Sequence, residues 1–364
     1  MLEGIRIVEI EALGPGPFAA MLLADLGADV VTIHRKAGSV APGFGEHNPL
    51  DRGKRSIILD LKDPADAEKA RALIATADGL IEGFRPGVME RLGLGPDECC
   101  AANPALVYGR MTGWGQTGPK ARQAGHDLNY IATSGALWYA SAPGDAPLTP
   151  PTLVGDIGGG ALYLVVGMLS GLLRARATGE GTVVDAAIVD GSAHMMNLFM
   201  ALSAAGSLSM ERGKSLLDGP HWCRTYRAAD GGFVSVQCLE PKFYAEFLDR
   251  MGLAGEAAFA DQFDVAAWPN LTDRLVGMFA EKPRAHWTAL FEGSDACVAP
   301  VLDPAESRRD PHMAARGVWH GEAQGLQAAP APRFAGGEAW TPKCSPARGE
   351  HTEEILAELK KTEG

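Results

Sequence analysis

The chain has 364 residues, 46% of them hydrophobic, so it is long enough to bury a large core. Its formal net charge of −12 argues against nucleic acid or an anionic membrane as the main partner. The six cysteines have neither metal-site spacing nor the density of a disulfide framework, which predicts reduced thiols in a cytoplasmic protein. No signal peptide is expected, and the most apolar stretch, residues 161–173, is too short to cross a membrane.

The first 111 residues predict strands that alternate with helices. The predicted strands are residues 5–10, 29–33, 56–61, 79–82 and 106–111, and the predicted helices are residues 18–26, 63–77 and 86–92. This alternation is typical of a mainly parallel sheet with helices on both faces. The predicted fold class is therefore α/β.

The remaining sequence predicts a second, smaller domain. Residues 160–177 form a long apolar helix, and residues 182–185 lead into another helix that extends to residue 200. Further predicted elements are a hairpin at 225–236, helices at 241–251 and 270–278, a linker at 321–332 and a surface helix at 352–361. The expected organisation is a large domain (1–186), a helical linker (187–217), a small α+β domain (218–310), a second linker (311–330) and a C-terminal segment (331–364) that returns to the large domain.

A glycine-rich turn after the first predicted strand raises the question of nucleotide binding. Its pattern, Gly14-x-Gly16-x-x-Ala19, nearly matches the dinucleotide-binding fingerprint. However, Pro15 and Pro17 have no N–H groups to offer a pyrophosphate. The second strand ends in basic residues, where an NAD site would place an acid. These features favour a nucleotide with an additional phosphate, either NADP or coenzyme A (CoA).

Basic clusters support the prediction of a phosphate-bearing ligand. They contain Arg35, then Arg52 with Lys54 and Arg55, and finally Arg85. A guanidinium group pairs with phosphate through two parallel hydrogen bonds. Any one of these arginines is equally well explained as a solvated surface residue. Three clusters near strand ends or turns are harder to explain in that way.

Four residues are candidates for acid–base chemistry. His126 is predicted in a loop, where it is either a base or a structural hydrogen-bonding group. Asp127 is expected to orient that ring or to cap local backbone. Asp156 precedes Gly158–Gly160, so it is either a helix N-cap or a carboxylate whose pKa the helix dipole lowers, beside N–H groups for an oxyanion. Glu240 is either a solvated turn residue or the partner of a histidine.

Taken together, the motifs resemble those of the α-methylacyl-CoA racemases, within the family III CoA-transferase (CaiB-BaiF) group. The resemblance covers nearly the whole chain, and AGHDLNY is the motif that discriminates racemases from transferases. The other motifs are ALGPGPFAAMLLADLGADVV, RGKRSIILDLK, LIEGFRPGVMERLGLGP, RMTGWGQTGP, LVGDIGGG, GEGTVVDAAIVDGS, LEPKFY, DPHMAARG and GEHT. Transferases of the group use the aspartate that matches Asp156 as a nucleophile and lack a histidine in the AGHDLNY loop.

The resemblance implies a fold, a reaction and a set of site residues. The implied fold is an interlocked homodimer, in which each subunit has a Rossmann-like large domain and a small domain joined by long linkers. The implied reaction interconverts (2R)- and (2S)-2-methylacyl-CoA thioesters by 1,1-proton transfer through an enolate, without a metal or redox cofactor. His126 and Asp156 would be the acid–base pair, with Glu240 as the hydrogen-bond partner of His126. The CoA moiety of the substrate would be bound by Arg35, Arg52, Arg55, Arg85 and Asp127.

Three alternatives to this hypothesis stay open. They are a CoA-transferase with Asp156 as nucleophile, a catalytically silent CoA-thioester-binding protein and an NADP oxidoreductase. The chain also departs from the racemase pattern at Pro220-His221-Trp222-Cys223 and at Gln237-Cys238. Because both departures lie near residues expected at the site, a racemase of a different 2-substituted acyl-CoA is a further alternative.

Overall fold

The computed structural model describes residues 1–37, 48–321, 325–336 and 340–362. The chain divides into two units. The first comprises Met1–Leu137, Thr149–Met196 and Trp319–Gly364, and the second comprises Trp138–Leu148 and Asn197–Val318. The predicted domain and linker boundaries stay predictions.

A six-stranded parallel sheet forms the centre of the first unit. Its strands run in the order β3-β2-β1-β4-β5-β6, which is the order of the doubly wound dinucleotide-binding folds. The strands are β1 (Arg6–Ile10), β2 (Asp29–His34), β3 (Arg55–Ile58), β4 (Gly79–Glu82), β5 (Val107–Thr112) and β6 (Thr182–Ala187). The α/β prediction is confirmed, and so are the first five strands.

Helices cover both faces of this sheet. They are α1 (Pro15–Asp25), α2 (Pro64–Ala75), α3 (Val88–Arg91), α4 (Pro96–Ala102), α5 (Asp127–Ser134), α6 (Leu162–Thr178), α7 (Ile188–Met195) and α14 (Thr352–Thr362). On β1, Ile7 and Val8 are both buried but belong to different apolar clusters. The reason is that successive side chains of a strand point to opposite faces. Ile355 and Leu359 of α14 are also buried, so the predicted surface helix has one face in the core.

The helix that carries Asp156 is longer than predicted. A π-helix, Leu153–Ala161, precedes α6 directly, and the two form one apolar helix. An 18-residue window of this helix, Leu153–Thr178, has a mean hydropathy of 1.6, so by length and composition alone the helix could cross a membrane, and the prediction that no apolar run is long enough is wrong. Its residues Leu164, Val165 and Met168 are buried in the core beside the sheet.

The second unit contains a three-stranded antiparallel sheet. Its strands are β7 (Cys223–Arg227), β8 (Phe233–Gln237) and β9 (Val298–Val301), and its helices are α8 (Asn197–Ala204), α9 (Pro241–Arg250), α10 (Trp268–Phe279), α11 (Arg284–Phe291), α12 (Pro304–Arg309) and α13 (Pro311–Ala315). The predicted hairpin is confirmed as β7 and β8. A short antiparallel pair, β10 (Trp319–His320) and β11 (Gln327–Ala328), belongs to the first unit.

Candidate active site

A cleft of about 510 Å³ opens at the carboxyl ends of the parallel strands of the first unit. The chain reverses its winding direction between β1 and β4, and folds of this kind bind ligands at that point. The cleft is lined by the segments that follow β1, β2, β4, β5 and β6. Its lining includes Glu11, Gly14, Arg35, Arg85, His126, Tyr130 and Asp156.

His126 lies at the N-terminus of α5, a helix that the sequence analysis missed. The backbone N–H of His126 donates to the Asn129 side-chain oxygen over 2.9 Å, and its C=O accepts from the Asn129 N–H over 2.8 Å. These reciprocal bonds fix the backbone of His126 as the N-cap of the helix. The side chain is exposed at the cleft. The local sequence therefore places an imidazole where a ligand can reach it.

Asp156 lies inside the π-helix and is not the N-cap of α6. Such helices are rare and occur frequently at functional sites. The close approach of α7 explains part of the glycine run. A Cβ on Gly159 would come within 2.7 Å of the Ser192 backbone nitrogen. Gly158–Gly160 lie within the π-helix, and the expected role of their N–H groups as oxyanion donors stays a prediction.

The carboxyl group of Asp156 has an unusual affinity for protons. Burial raises the pKa of Asp156 from 3.8 to about 6, and the negative charge of Asp127 also raises it, while the charge of His126 opposes the shift. The prediction that a helix dipole lowers this pKa is wrong, because burial and a neighbouring carboxylate dominate. A carboxylate with this pKa is a stronger base than an ordinary one.

Asp127 is a buried residue that holds the backbone of the π-helix. Its side chain is 4% exposed, and its Oδ1 accepts the N–H groups of Gly155 and Asp156 over 2.9 and 2.8 Å. Its Oδ2 is buried and has no hydrogen-bond partner among the described residues. A Cβ on Gly155 would come within 2.4 Å of Oδ1, so glycine is required there. Asp127 thus connects α5, which begins next to His126, to the helix that carries Asp156.

The raised pKa of Asp156 predicts a stability effect with a definite sign. Because the folded-state pKa lies above 3.8, the folded state loses stability as pH rises from about 4 to about 6. Replacing Asp156 with asparagine removes that titration. We expect the variant to be more stable than the wild type at pH 8 by roughly 1–3 kcal/mol, with a smaller advantage at pH 5. Urea unfolding at both pH values measures it, and an equal advantage at both would contradict the shift.

A second cleft, of about 720 Å³, lies beside the first and shares Glu11, Arg35 and Phe84 with it. Four cationic side chains line it, which are Arg35, Lys36, Lys62 and Arg91. Lys62 and Arg91 are not among the residues predicted from the sequence. The signal was present for Lys62, since it follows β3 at the same edge of the sheet. This concentration of positive charge suits an anionic ligand.

Comparisons with known proteins identify the family of this chain. The sequence profile of CoA-transferase family III matches residues 2–352. The chain belongs to CoA-transferase family III. It is 40% identical to the α-methylacyl-CoA racemase of Mus musculus, over 98% of this chain and 93% of that protein. It is 31% identical to the acetyl-CoA:oxalate CoA-transferase of Acetobacter aceti, over 87% of this chain and 84% of that protein.

A solved family III structure has the same fold. The crystal structure of a CAIB/BAIF family protein from Brucella suis superimposes with a TM-score of 0.83 at 28% identity, and the match covers 98% of both chains. A racemase and a CoA-transferase are thus both similar to this chain over most of its length.

Of the predicted CoA-binding arginines, the structure places two at the clefts of this family III protein. Arg35 lines both clefts, and Arg85 lines the first. Arg52 pairs with Asp25, with both side chains buried, and Arg55 pairs with Asp29 and Glu358. Arg52 and Arg55 line neither cleft, and carboxylate partners account for both guanidinium groups. A contact between CoA and either of them stays a prediction.

Glu240 belongs to the second unit, where it is the exposed N-cap of α9. Gln262 holds the chain just before it, because its Nε2 donates to the carbonyls of Cys238 and Leu239, each over 2.9 Å. The indole N–H of Trp222 donates to the Gln262 carbonyl over 2.9 Å. The predicted hydrogen bond between Glu240 and His126 stays a prediction.

Of the residues that depart from the racemase pattern, His221, Trp222 and Cys238 are buried in the second unit, whereas Gln237 is exposed. His221, Trp222 and Cys238 are each 0% exposed. Burial, together with the charge of Arg224, lowers the pKa of His221 to about 4. Their burial assigns these side chains a packing role within the unit.

Proposed function

We propose that this protein is a racemase that interconverts (2R)- and (2S)-2-methylacyl-CoA thioesters. The observation that carries the proposal is that His126 and Asp156 line one cleft, and that the pKa of Asp156 is raised to about 6. An imidazole and a carboxyl group can each donate or accept a proton, so each can serve as the acid when the other serves as the base. The 40% identity to a racemase supports the same reaction.

The proposed reaction has two proton transfers. One of His126 and Asp156 removes the α-proton, and the electron pair of the broken C–H bond moves into the bond between the α-carbon and the carbonyl carbon. The thioester oxygen then carries the negative charge of an enolate. The other group donates its proton to the opposite face of the α-carbon, which inverts the centre. The thioester bond stays intact, and the two residues exchange roles for the opposite enantiomer.

The two clefts suggest how the CoA moiety is held. The phosphates would contact Arg35 and the other cationic side chains of the second cleft, while the thioester reaches His126 and Asp156 in the first. Arg35 is suited to both, because it lines both clefts and its side chain is 45% exposed. Within the described residues, no group of three or more His, Cys, Asp or Glu side chains is arranged to hold a metal ion.

Deuterium incorporation tests the proposed function. The protein is incubated with (2S)-2-methylacyl-CoA in D2O, and α-deuterium and the 2R form are followed by NMR and chiral chromatography. We expect both to appear, and His286→Gln, which alters an exposed histidine of the second unit, to leave both unchanged. Transfer of CoA to a free acid without α-exchange would replace the proposal with the CoA-transferase alternative. If exchange occurs only with esters that carry a different 2-substituent, the racemase reaction stands and only the proposed acyl group changes.

The proposal includes a cytoplasmic homodimer. All six cysteines are free, which suits a reducing compartment. The side of α6 away from the sheet has an apolar stripe, in which Leu162 is 43% exposed, Val166 62% and Leu173 72%. Side chains at this spacing lie along one helix face. A second copy of the chain would cover the stripe, as the family resemblance implies.

Charge placed on the stripe is expected to weaken the dimer. We expect Val166→Glu/Leu173→Glu to raise the dimer dissociation constant by at least about tenfold, because two carboxylates would be buried against apolar side chains. Val276→Glu is the matched control, since Val276 is 50% exposed on helix α10. Sedimentation velocity over a concentration series measures the constant. An unchanged dissociation constant in the double variant would mean that the dimer interface lies elsewhere. A monomeric wild type would refute the proposed dimer.

A further inference from the structure

The C-terminal segment is fixed against the strand next to the second cleft. The N–H of Gly349 donates to the Ser56 hydroxyl over 2.8 Å, and the N–H of His351 donates to the Ser56 carbonyl over 2.9 Å. The N–H of Ser56 in turn donates to His351 Nδ1 over 3.1 Å. Ile355 is fully buried in the core. These contacts hold the backbone directly after Arg348 in one place.

From that backbone, Arg348 reaches the residues that begin the loops after β1 and β2. Its guanidinium group forms an ion pair with Glu11, and its Nη2 donates to the Arg35 carbonyl over 2.7 Å. Its Nη1 lies 3.0 Å from His34 Nδ1. Arg348 lines neither of these two clefts, but it lines a smaller cavity that shares Glu11, Ala12, Leu13 and Gly14 with the first.

Glu11 joins Arg348 to Arg35. The Oε2 atom of Glu11 accepts the Arg35 N–H over 2.9 Å and the Arg35 Nε–H over 3.1 Å, and it lies 3.3 Å from Arg348 Nη2. The Glu11 side chain is only 10% exposed. One buried carboxylate is thus shared by two guanidinium groups and by His34, whose Nδ1 lies 3.4 Å from Oε1, and Arg35 is held at both its backbone and its side chain.

The shared carboxylate has an electrostatic consequence. Glu11 alone would neutralise Arg35 and would compete with a phosphate for its donors. With Arg348 on the same carboxylate, the three side chains together keep an excess of positive charge. The interaction is strong for a charged group near the surface, because the carboxylate is largely removed from water.

We propose that Arg348 is a positioning residue for CoA. By sharing Glu11 with Arg35, it keeps Arg35 directed at the CoA phosphates and keeps this part of the site cationic. The inference rests on the proposed function, because it needs the phosphates of CoA at Arg35. It assigns to the C-terminal segment a part in substrate affinity, 313 residues along the chain from Arg35.

Two substrates separate this role from general support of the fold. One is the 2-methylacyl-CoA ester, and the other is the same acyl ester of pantetheine, which lacks the 3′-phospho-ADP part. We expect Arg348→Ala to raise KM for the CoA ester about tenfold with kcat unchanged, and to leave KM for the pantetheine ester unchanged. Arg348→Lys should restore part of the affinity for the CoA ester, because lysine keeps the positive charge but lacks the paired N–H donors of a guanidinium group.

The control is Arg6→Ala. Arg6 also pairs with the C-terminal segment, at Glu358 over 2.9 Å, but it does not contact Glu11. The Arg6→Ala variant should leave KM for the CoA ester unchanged. In an Arg35→Ala background, Arg348→Ala should have a much smaller effect than in the wild type, because most of its effect passes through Arg35. Equal changes for both esters, or additive effects of the two alanine variants, would overturn the inference.

Binding of free CoA keeps the inference distinct from the proposed reaction. Isothermal titration should show that Arg348→Ala weakens CoA binding about tenfold and does not change pantetheine binding. A wild type that binds CoA but exchanges no α-proton would refute the racemase reaction and leave the positioning role standing. Unchanged CoA affinity in Arg348→Ala would refute the positioning role and leave the reaction standing.

Discussion

Asp156→Asn and His126→Gln are expected to lose inversion of a 2-methylacyl-CoA ester and to keep α-proton exchange for opposite enantiomers. Each variant retains one of the two bases, and that base can still remove and return the proton on its own face of the α-carbon. Inversion needs both groups, so we expect its rate to fall by a factor on the order of 10²–10⁴. The measurement is α-deuterium uptake by each pure enantiomer in D2O, with chiral analysis of the product.

The pattern of residual exchange is the decisive part of this experiment. If both variants exchange the same enantiomer, or if Asp156→Asn inverts as fast as the wild type, the two-base assignment is wrong. Asp249→Asn is the matched control for the carboxylate, because Asp249 is exposed on helix α9. It should exchange and invert like the wild type.

The pH dependence of the residual exchange identifies the base. In His126→Gln the remaining base is Asp156, which must be ionised to remove a proton. Its exchange rate should therefore fall as pH drops below about 6, and not below about 4 as for an ordinary aspartate. Because the charge of His126 lowers the pKa of Asp156 in the wild type, the midpoint in the variant should lie at or above this value.

The sheet was predictable from sequence because its strands are short β-branched runs bounded by turns. β6 was missed because it lies at the edge of the sheet, its first four residues are exposed or only partly buried, and it continues directly into α7. Helix α5 was missed because it has only eight residues, and its start coincides with His126. Hydrophobic periodicity therefore predicted the elements with a strong apolar pattern but not the short elements at the site.

The sequence predicted which types of residue form the site, but not the environment of each side chain. His126 and Asp156 stood out as chemical groups, yet the raised pKa of Asp156 depends on burial and on Asp127, which local sequence does not show. Arginine clusters did not distinguish Arg35, at the clefts, from Arg52, whose partner is Asp25. The distinction depends on contacts between distant parts of the chain.

Asp127→Ala is expected to damage both the fold and the reaction. It leaves the buried N–H of Gly155 and the N–H of Asp156 without their acceptor, at a cost of about 2–4 kcal/mol in the free energy of unfolding. The π-helix would lose the contact that orients Asp156, and we expect kcat to fall about 100-fold or more. Urea unfolding and the inversion rate measure the two effects.

Asp127→Asn separates the hydrogen bonds of Asp127 from its charge. The amide oxygen can still accept both N–H groups, so we expect most of the stability to be kept. The neighbouring negative charge is gone, and the pKa of Asp156 should fall from about 6 toward its ordinary value. The acidic limb of the rate of exchange catalysed by Asp156 would then move to lower pH. An unmoved limb in a stable Asp127→Asn protein would mean that burial alone raises this pKa, and that Asp127 acts on Asp156 only through its backbone.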